Sequence, residues 1–332
     1  MCTRILWNTH DHAVLAGRTM DWPESTEPVL TVFPRGVRRD GGKLGGSTVV
    51  ADNPLTWTSR FGSLVTTVYG AGTVDGFNER GLAAHMLYLD VTELAPRDPG
   101  RPGLQIALWI QYLLDSAATV EEALGLLDTF QLVMVEMRGF AATVHVALED
   151  ASGDSAIIEH VAGERKVHHD RAYTVMTNEP DYDVQLRLLE QQERTARELG
   201  HDEPGGDVPL PGNVNPVDRF QRAAYFSALL PKPADERQAV AAILAVTRNA
   251  SVPFGAPYGS GDFAIYNTEY RTVCDLTNRR YFFELATSPN LVWAEIDRFD
   301  LSPGAPVMAL DPDRIDLTGD VSEQFAQSST AF

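Results

Sequence analysis

The chain has 332 residues, of which 44% are hydrophobic and 22% are charged. This composition is typical of a globular protein with a large buried core and excludes a disordered chain. The 46 acidic residues outnumber the 27 basic ones, so the formal net charge is −19. That charge excludes nucleic acid and anionic lipid as expected partners. We expect a single domain over residues 1–332.

The two cysteines, Cys2 and Cys274, are too few for a disulfide framework or for a zinc cluster of the usual kind. The N-terminal residues lack the apolar stretch of a signal peptide. Later apolar runs, such as residues 241–246, are too short to span a bilayer. We therefore expect a bacterial cytoplasmic protein with no membrane partner.

The first third of the chain predicts short strands, because Val, Thr and Leu concentrate in runs between turn residues. The predicted strands cover residues 13–17, 29–33, 63–69 and 82–87, with a turn over 75–81. Two helices follow, and we expect them to cover one sheet face. The first has apolar residues at helical spacing, Leu104, Leu108, Ile110 and Leu114. The second opens with a capping-box pattern, Thr119-Val120-Glu121-Glu122.

The rest of the chain alternates again between strands and helices. Strands are predicted over residues 143–148, 156–160, 173–176, 264–275, 280–285 and 291–296. Helices are predicted over 185–199, 218–229 and 234–248, with a long loop over 200–217. The order predicts an α+β fold, with two mostly antiparallel sheets between helices. Residues 297–332 are expected to extend the same domain.

Cys2 is the residue with the clearest chemical potential, although a lone cysteine is more often a packing residue. A small residue after Met1 permits removal of the methionine, which would leave a thiol and a free α-amino group on Cys2. An α-amino group has an ordinary pKa of about 7.7–8.0, so it can accept the thiol proton near neutral pH. No catalytic histidine is then required.

Arg18-Thr19-Met20-Asp21 supplies a cation and a carboxylate at the end of a predicted strand that could pair beside Cys2. A cation stabilises a thiolate, and a carboxylate can orient an amine by accepting its hydrogen bond. Considered alone, Arg18 and Asp21 could equally be an ordinary surface ion pair.

Five motifs in this order resemble the choloylglycine hydrolase family, which contains the penicillin V acylases and the conjugated bile salt hydrolases. They are Cys2, Arg18-Thr19-Met20-Asp21, Asp75-Gly76-Phe77-Asn78-Glu79-Arg80-Gly81-Leu82, Met176-Thr177-Asn178-Glu179-Pro180, and Leu210-Pro211-Gly212 leading to Arg219-Phe220-Gln221-Arg222. The resemblance implies the four-layer αββα sandwich of the N-terminal nucleophile hydrolases. It also implies a homotetramer and the absence of any metal or organic cofactor.

The resemblance also implies roles for individual residues. Cys2 would be nucleophile and base, Arg18 would stabilise its thiolate, and Asp21 would hold the α-amino group. Arg219 would complete the charged cluster around Cys2.

The family's oxyanion hole pairs an asparagine side chain with a backbone N–H. In this sequence these groups correspond to Asn178 and to the backbone N–H of Tyr88. Removal of one such donor typically costs on the order of 10²-fold or more in rate.

Several stretches resemble the family branch known from Gram-negative bacteria, which is associated with penicillin V and N-acyl homoserine lactones. They are Asp21-Trp22, Phe33-Pro34-Arg35-Gly36, Trp57-Thr58-Ser59-Arg60-Phe61-Gly62 and Arg248-Asn249-Ala250-Ser251-Val252-Pro253. The branch often has tryptophan where Tyr88 stands. Trp22 and Phe61 are candidates for an apolar acyl pocket, and core packing is the alternative for each.

The sequence therefore predicts an enzyme that cleaves a linear amide bond of a small N-acyl substrate through an acyl-thioester on Cys2. The alternatives are bile salt hydrolysis, acyl transfer from the same thioester to an amine, and a binding protein on the same fold. We expect His85 to be a packing or pocket-wall residue and Cys274 to be an inert core thiol.

Overall fold

The computed structural model describes residues 1–257, 266–288 and 290–329. Its strands in chain order are β1 (Cys2–Trp7), β2 (Leu15–Trp22), β3 (Val29–Phe33), β4 (Arg38–Asp40), β5 (Lys43–Leu44), β6 (Ser47–Thr48), β7 (Thr56–Thr58), β8 (Ser63–Val68), β9 (Gly72–Asn78), β10 (Leu82–Tyr88), β11 (Gly103–Gln105), β12 (Gln131–Val133), β13 (Glu136–Met137), β14 (Phe140–Ala141), β15 (Val144–Asp150), β16 (Ser155–Val161), β17 (Glu164–His169), β18 (Val175–Met176), β19 (Asn267–Asp275), β20 (Arg280–Leu285), β21 (Val292–Glu295), β22 (Met308–Leu310), β23 (Gly319–Asp320) and β24 (Ala326–Gln327). The helices are α1 (Trp109–Ser116), α2 (Val120–Leu126), α3 (Tyr182–Glu198), α4 (Pro216–Ala228) and α5 (Glu236–Asn249).

Two large sheets form the centre of the molecule. Sheet A has the strand order β18-β1-β2-β19-β20-β21-β23, and sheet B has the order β17-β16-β15-β10-β9-β8-β3-β22-β24. Helices α4 and α5 pack on sheet A, and α1 and α2 pack on sheet B. The layers are therefore helix, sheet, sheet, helix, which confirms the predicted α+β sandwich. Strands from residues 308–327 complete edges of both sheets.

Successive side chains of β10 pack into two different hydrophobic cores. Ala83 and Leu87 belong to the core between the sheets, whereas Ala84 and Met86 belong to the core under α1 and α2. Successive side chains of a strand point to opposite faces, so a strand between two layers is apolar on both. Among the described residues, no helix is long and apolar enough to span a membrane.

Several strands of the structure were not predicted from the sequence, and three of them show why. The expected turn over residues 75–81 is mostly β9, which continues to Asn78. β17 was not predicted because it is an edge strand whose residues are polar and largely exposed. The expected helix at Leu104 is strand β11, followed by a 3₁₀ turn and then α1. Residues 264 and 265 of the last predicted block lie outside the described residues.

Gly76 explains why a strand resembled a turn in the sequence. Its φ is +139°, a backbone conformation that other residues rarely adopt. A Cβ at this position would lie 2.5 Å from the Leu64 carbonyl oxygen and 2.5 Å from Val65 Cα on the paired strand β8. Both neighbours are backbone atoms, so they cannot move aside cheaply.

We expect Gly76→Ala to lower the free energy of unfolding by about 2–4 kcal/mol, because it adds both a clash and backbone strain. Urea denaturation measures this change. Gly125→Ala in α2 is the matched control, since a Cβ there meets nothing within 4 Å. It should stabilise the protein by about 0.5–1 kcal/mol. Equal effects of the two substitutions would contradict this account.

A chain of charged side chains runs between the two sheets. Arg4 donates from Nε and Nη2 to Glu149, whose other carboxylate oxygen contacts His85 Nε2. His85 Nδ1 contacts Asp75, and Asp75 Oδ1 lies 3.7 Å from Arg18 Nη1. All five side chains have no exposed surface.

Burial and the partner charges act in opposite directions on these groups. Burial would lower the pKa of His85, but Glu149 and Asp75 outweigh it and raise the pKa from 6.5 to about 9. Burial would raise the pKa of Asp75, but His85 and Arg18 hold it at about 2. Arg4 and His85 likewise outweigh burial at Glu149 and lower its pKa, so His85, Asp75 and Glu149 stay charged at neutral pH.

A pH-dependent stability follows from the raised pKa of His85. Its contribution is fully present below pH 6.5, the ordinary value, and is lost as pH rises through about 9. Urea denaturation between pH 6 and 9.5 should show a falling free energy of unfolding in the wild type. In His85→Gln the decline over the same window should be shallower. Parallel curves for the two proteins would rule out this contribution.

Candidate active site

Cys2 is the first residue of β1 and is 2% exposed. The antiparallel register of β1 and β2 places it opposite Met20. Its Sγ lies 3.7 Å from Met20 Sδ and 3.5 Å from Arg18 Nη2. The thiol is therefore held between a thioether and a guanidinium group.

The Arg18 side chain is completely buried and points from β2 toward sheet B. It donates hydrogen bonds to the carbonyl oxygens of Val74 and Met86, the latter at 2.9 Å. Burial alone would lower the pKa of the guanidinium, but nearby Cys2, Tyr270 and Asp75 raise it above its ordinary value. Arg18 is thus a permanent cation beside the thiol.

Asp21 lies on the opposite face of β2 and is also fully buried. Its Oδ1 accepts a hydrogen bond from Thr268 Oγ1 at 2.6 Å, and its Oδ2 accepts one from Thr19 Oγ1 at 3.0 Å. Arg219 Nη1 is 3.4 Å from Asp21 Oδ2. Alternation within one four-residue motif therefore directs Arg18 to one side of the sheet and Asp21 to the other.

Arg219, in the first turns of α4, joins this carboxylate to the N-terminal strand. Asn215 caps the helix by accepting the Asp218 N–H at 2.9 Å. Arg219 Nη1 donates to the Cys2 carbonyl oxygen at 2.7 Å, and Nη2 donates to Asn178 Oδ1 at 2.8 Å. One guanidinium therefore connects three elements of the site.

Asn178 follows β18 and lies beside the end of β10. Its Oδ1 accepts the backbone N–H of Cys2 at 2.8 Å, and its Nδ2 donates to the Tyr88 carbonyl oxygen at 2.6 Å. Asn178 is 1% exposed. The two residues predicted to form an oxyanion hole are therefore direct neighbours.

Met1 extends the pairing of β1 with β2. Its amino group donates to the Asp21 carbonyl oxygen, and its carbonyl oxygen accepts the Asp21 N–H at 2.7 Å. The Met1 side chain is buried against Val252 and Tyr266. Burial lowers the pKa of the Met1 amino group. While Met1 is present, the nitrogen of Cys2 is an ordinary amide.

An apolar cleft meets the thiol, with a volume of about 740 Å³ including the space open to solvent. Cys2 and Arg18 line it, and its apolar wall includes Met20, Trp22, Met86, Tyr88, Phe140 and Val144. The Trp22 ring makes edge contacts with Tyr88 and Phe140, at centroid distances of 5.8 and 6.2 Å. Aromatic surface therefore lies within reach of a group bound at Cys2.

Phe140 is carried by the hairpin of β13 and β14, which the sequence analysis missed. The turn residues Arg138 and Gly139 both have positive φ, as two-residue hairpin turns require. Arg138 pairs with Glu27, and its guanidinium lies 4.5 Å from the centre of the Tyr69 ring. An arginine before glycine is a weak hairpin signal, and the strands have only two residues each.

The structure brings together Cys2, Arg18, Asp21, Asn178 and Arg219, with Tyr88 and Trp22 at the cleft. Phe61, the other candidate for an acyl pocket, is not among the residues that line this cleft. Its backbone N–H donates to the Asp115 carbonyl oxygen of α1, and its ring lies under the Arg60 guanidinium. Phe61 precedes β8 at the end of the strand away from Val68, which does line the cleft.

Three side chains outside the predicted site could in principle share a metal ion, because ligand atoms of Asp75, His85 and Cys274 lie within 4.8 Å of one another. Hydrogen bonds from Thr272 and Tyr281 and the contact with His85 already occupy both Asp75 oxygens. Burial raises the pKa of the Cys274 thiol well above its ordinary value. We therefore assign no metal to these residues.

Known proteins resemble this chain over nearly its whole length. The penicillin V acylase of Pectobacterium atrosepticum is 37% identical over 329 residues, covering 91% of this chain and 82% of that protein. The structure of penicillin V acylase from Agrobacterium tumefaciens has a TM-score of 0.87 at 37% identity, with 99% of this chain and 98% of that chain covered. A bile salt hydrolase/transferase of Bifidobacterium longum is 26% identical over 79% of this chain and 86% of that protein.

A match to a family sequence profile establishes the family of this chain. The profile of the linear amide C–N hydrolases, choloylglycine hydrolase family, matches residues 2–321. This span contains both sheets' central strands and every residue that surrounds the Cys2 thiol. The resemblance noted in the five motifs is confirmed, and the chain belongs to the choloylglycine hydrolase family of linear amide C–N hydrolases.

Proposed function

We propose that this hydrolase uses Cys2 as an N-terminal nucleophile and cleaves its amide substrate through an acyl-thioester. The observation that carries the proposal is the Arg18 guanidinium 3.5 Å from Cys2 Sγ, at the edge of an apolar cleft. A fixed cation stabilises the thiolate form, which is the nucleophile.

Removal of Met1 would begin the mechanism by converting the amide nitrogen of Cys2 into an amine. The amine accepts the thiol proton, and Sγ attacks the carbonyl carbon of the substrate. The ammonium then returns the proton to the leaving nitrogen, the C–N bond breaks, and an acyl-thioester remains. Water activated by the same amine attacks the thioester, which releases the acid and restores the thiol.

The neighbouring groups have complementary parts in this proposal. Arg219 holds the N-terminal strand by donating a hydrogen bond to the Cys2 carbonyl oxygen. Asp21 in turn pairs with the Arg219 guanidinium. The side chain of Asn178 and the backbone N–H of Tyr88 would stabilise the oxyanion of the tetrahedral intermediate. Their adjacency supports this pairing, since Asn178 Nδ2 is 2.6 Å from the Tyr88 carbonyl oxygen.

We propose penicillin V and medium- or long-chain N-acyl homoserine lactones as the substrate class. Burial of an alkyl or aryl acyl group in the cleft contributes about 0.8 kcal/mol per CH₂. The cleft wall of Met20, Trp22 and Phe140 suits such a group. The names of the relatives from Pectobacterium and Agrobacterium support penicillin V.

Bile salt hydrolysis is the second candidate, and the name of the Bifidobacterium relative supports it. That name also includes transferase, and a thioester on Cys2 would be open to attack by an amine as well as by water. We further propose that the chain is a single domain that forms a homotetramer, because the family resemblance implies this assembly. We also propose a location in the bacterial cytoplasm, with which two free cysteines are consistent.

The first prediction concerns the nucleophile. Purified protein lacking Met1 should hydrolyse penicillin V and a long-chain acyl homoserine lactone, and Cys2→Ala should lower kcat/KM by about 10⁴-fold or more. Product release measures activity, intact mass confirms the loss of Met1, and thermal unfolding confirms that the variant folds. Comparable activity in Cys2→Ala would refute the mechanism.

Matched arms of the same experiment separate the alternatives. Glycocholate as the best substrate would replace the substrate proposal and retain the mechanism. Abundant amide product on addition of glycine or taurine would indicate acyl transfer. Protein produced with methionine aminopeptidase inhibited should be inactive until that peptidase removes Met1, because an amide nitrogen cannot take the thiol proton.

The acyl pocket gives a further prediction. Trp22→Ala should lower kcat/KM for long-chain substrates by about 10–100-fold, mainly through KM, because the aromatic wall of the cleft is lost. Short-chain substrates should lose less. Phe61→Leu is the control, since Phe61 does not line the cleft. Equal losses for short and long acyl chains would exclude an acyl-binding role for Trp22.

A further inference from the structure

We propose that His85, as an imidazolium, is a positioning residue for this reaction: its charge balances Asp75 and Glu149, so that the Arg18 guanidinium, which Asp75 fixes, keeps a net positive charge beside Cys2. The inference rests on the proposed role of the Cys2 thiolate. His85 itself touches neither the cleft nor the thiol.

His85 lowers the pKa of both Asp75 and Glu149, and with these two carboxylates ionised the hydrogen-bond geometry requires two donors on the His85 ring. Nδ1 faces Asp75 Oδ1, and Nε2 faces Glu149 Oε1, both within hydrogen-bond distance. A neutral imidazole carries one N–H, so it would turn a nitrogen lone pair toward one of the two carboxylates. In a site with no exposed surface that arrangement is strongly unfavourable.

The order of charges along the five buried side chains also favours the protonated form of His85. With His85 protonated, the signs alternate along Arg4, Glu149, His85, Asp75 and Arg18. The chain then carries one net positive charge, which a thiolate on Cys2 would neutralise. With His85 neutral, the five groups cancel, and the chain offers no net positive charge to a thiolate between the sheets.

Asp75 can link the position of His85 to that of Arg18 because hydrogen bonds from several residues fix its carboxylate. Its Oδ2 accepts hydrogen bonds from Thr272 Oγ1 at 2.6 Å and from the Tyr281 hydroxyl. Its Oδ1 contacts His85 and lies 3.7 Å from Arg18 Nη1. This places Nη1 near the carboxylate and leaves Nη2 directed to Cys2 Sγ and to the Met86 carbonyl oxygen.

The titratable and charged groups around His85 come from six strands. Asp75 of β9 and Glu149 of β15 contact the ring, and next to them lie Arg18 of β2, Arg4 of β1, Cys274 of β19 and Tyr281 of β20. Burial raises the pKa of Cys274 and of Tyr281 well above their ordinary values, so both stay neutral. The two carboxylates keep the pKa of His85 at about 9.

The protonation state can be measured directly in the wild-type protein. With ¹⁵N-labelled histidine, two-bond ¹H–¹⁵N correlation spectra at pH 7.5 should show both ring nitrogens of His85 protonated. The resonances are assigned by their absence in His85→Gln. A neutral tautomer at this pH would overturn the proposal, and this result does not depend on the activity of any variant.

The positioning role is tested by charge rescue. His85→Gln should slow alkylation of Cys2 by iodoacetamide at least about tenfold at pH 7 and move the midpoint of its pH profile upward. Adding Glu149→Gln restores the net charge of the wild-type chain and should recover most of the rate. A double variant as slow as the single one would overturn the proposal, because a purely structural loss would not be rescued.

Control measurements separate this proposal from the mechanism on which it rests. His160→Gln removes a partly buried histidine that contacts Trp109 outside the charged chain, and it should leave the alkylation rate unchanged. Peptide mass spectrometry distinguishes Cys2 from Cys274. If Cys2→Ala retains activity, the mechanism fails whatever the state of His85. If only charge rescue fails, the nucleophile stands and the role of His85 does not.

Discussion

A buried guanidinium beside a thiol is the constraint on which the rest of the site depends. Moving an arginine cation out of water is costly unless hydrogen bonds and opposite charges replace the lost solvent. Arg18 obtains two backbone carbonyl oxygens, one carboxylate at 3.7 Å and the Cys2 sulfur. The β9 and β10 backbones and the Asp75 network therefore have to lie where they do.

The pairing of β1 with β2 distributes these groups correctly between two layers. On β2, Met20 lies opposite Cys2, and Met20 and Arg18 face sheet B. Thr19 and Asp21 face the other side, where Asp21 meets Arg219 of α4. A shift of one residue in this register would send the cation to the helices and the carboxylate to the cleft. The chemistry of the site is thus encoded in strand register as much as in residue identity.

Much of the site could be predicted from the sequence, because Cys2, Arg18 and Asp21 lie in local motifs and the family motifs added Asn178, Arg219 and Tyr88. The fold class followed from the alternation of strands and helices. Contacts between layers could not be predicted in this way. Nothing in spacing pairs His85 with Glu149, 64 residues away. The position of Phe61 could not be predicted either, because the sequence does not show which end of β8 lies at the cleft. Val68, at the end of β8 away from Phe61, lines the cleft.

The two walls of the cleft are held by forces of different strength. Cys2, Arg18 and Met20 belong to paired strands of a seven-stranded sheet, whereas Phe140 is on a two-residue hairpin whose Arg138 pairs with Glu27 at the surface. Exposed ion pairs contribute little and are screened by salt. Displacing the hairpin therefore costs far less than displacing the sheet. In the proposed mechanism, the hairpin wall would adapt to acyl groups of different size while the sheet keeps the reacting groups in place, so one property can change without loss of the other.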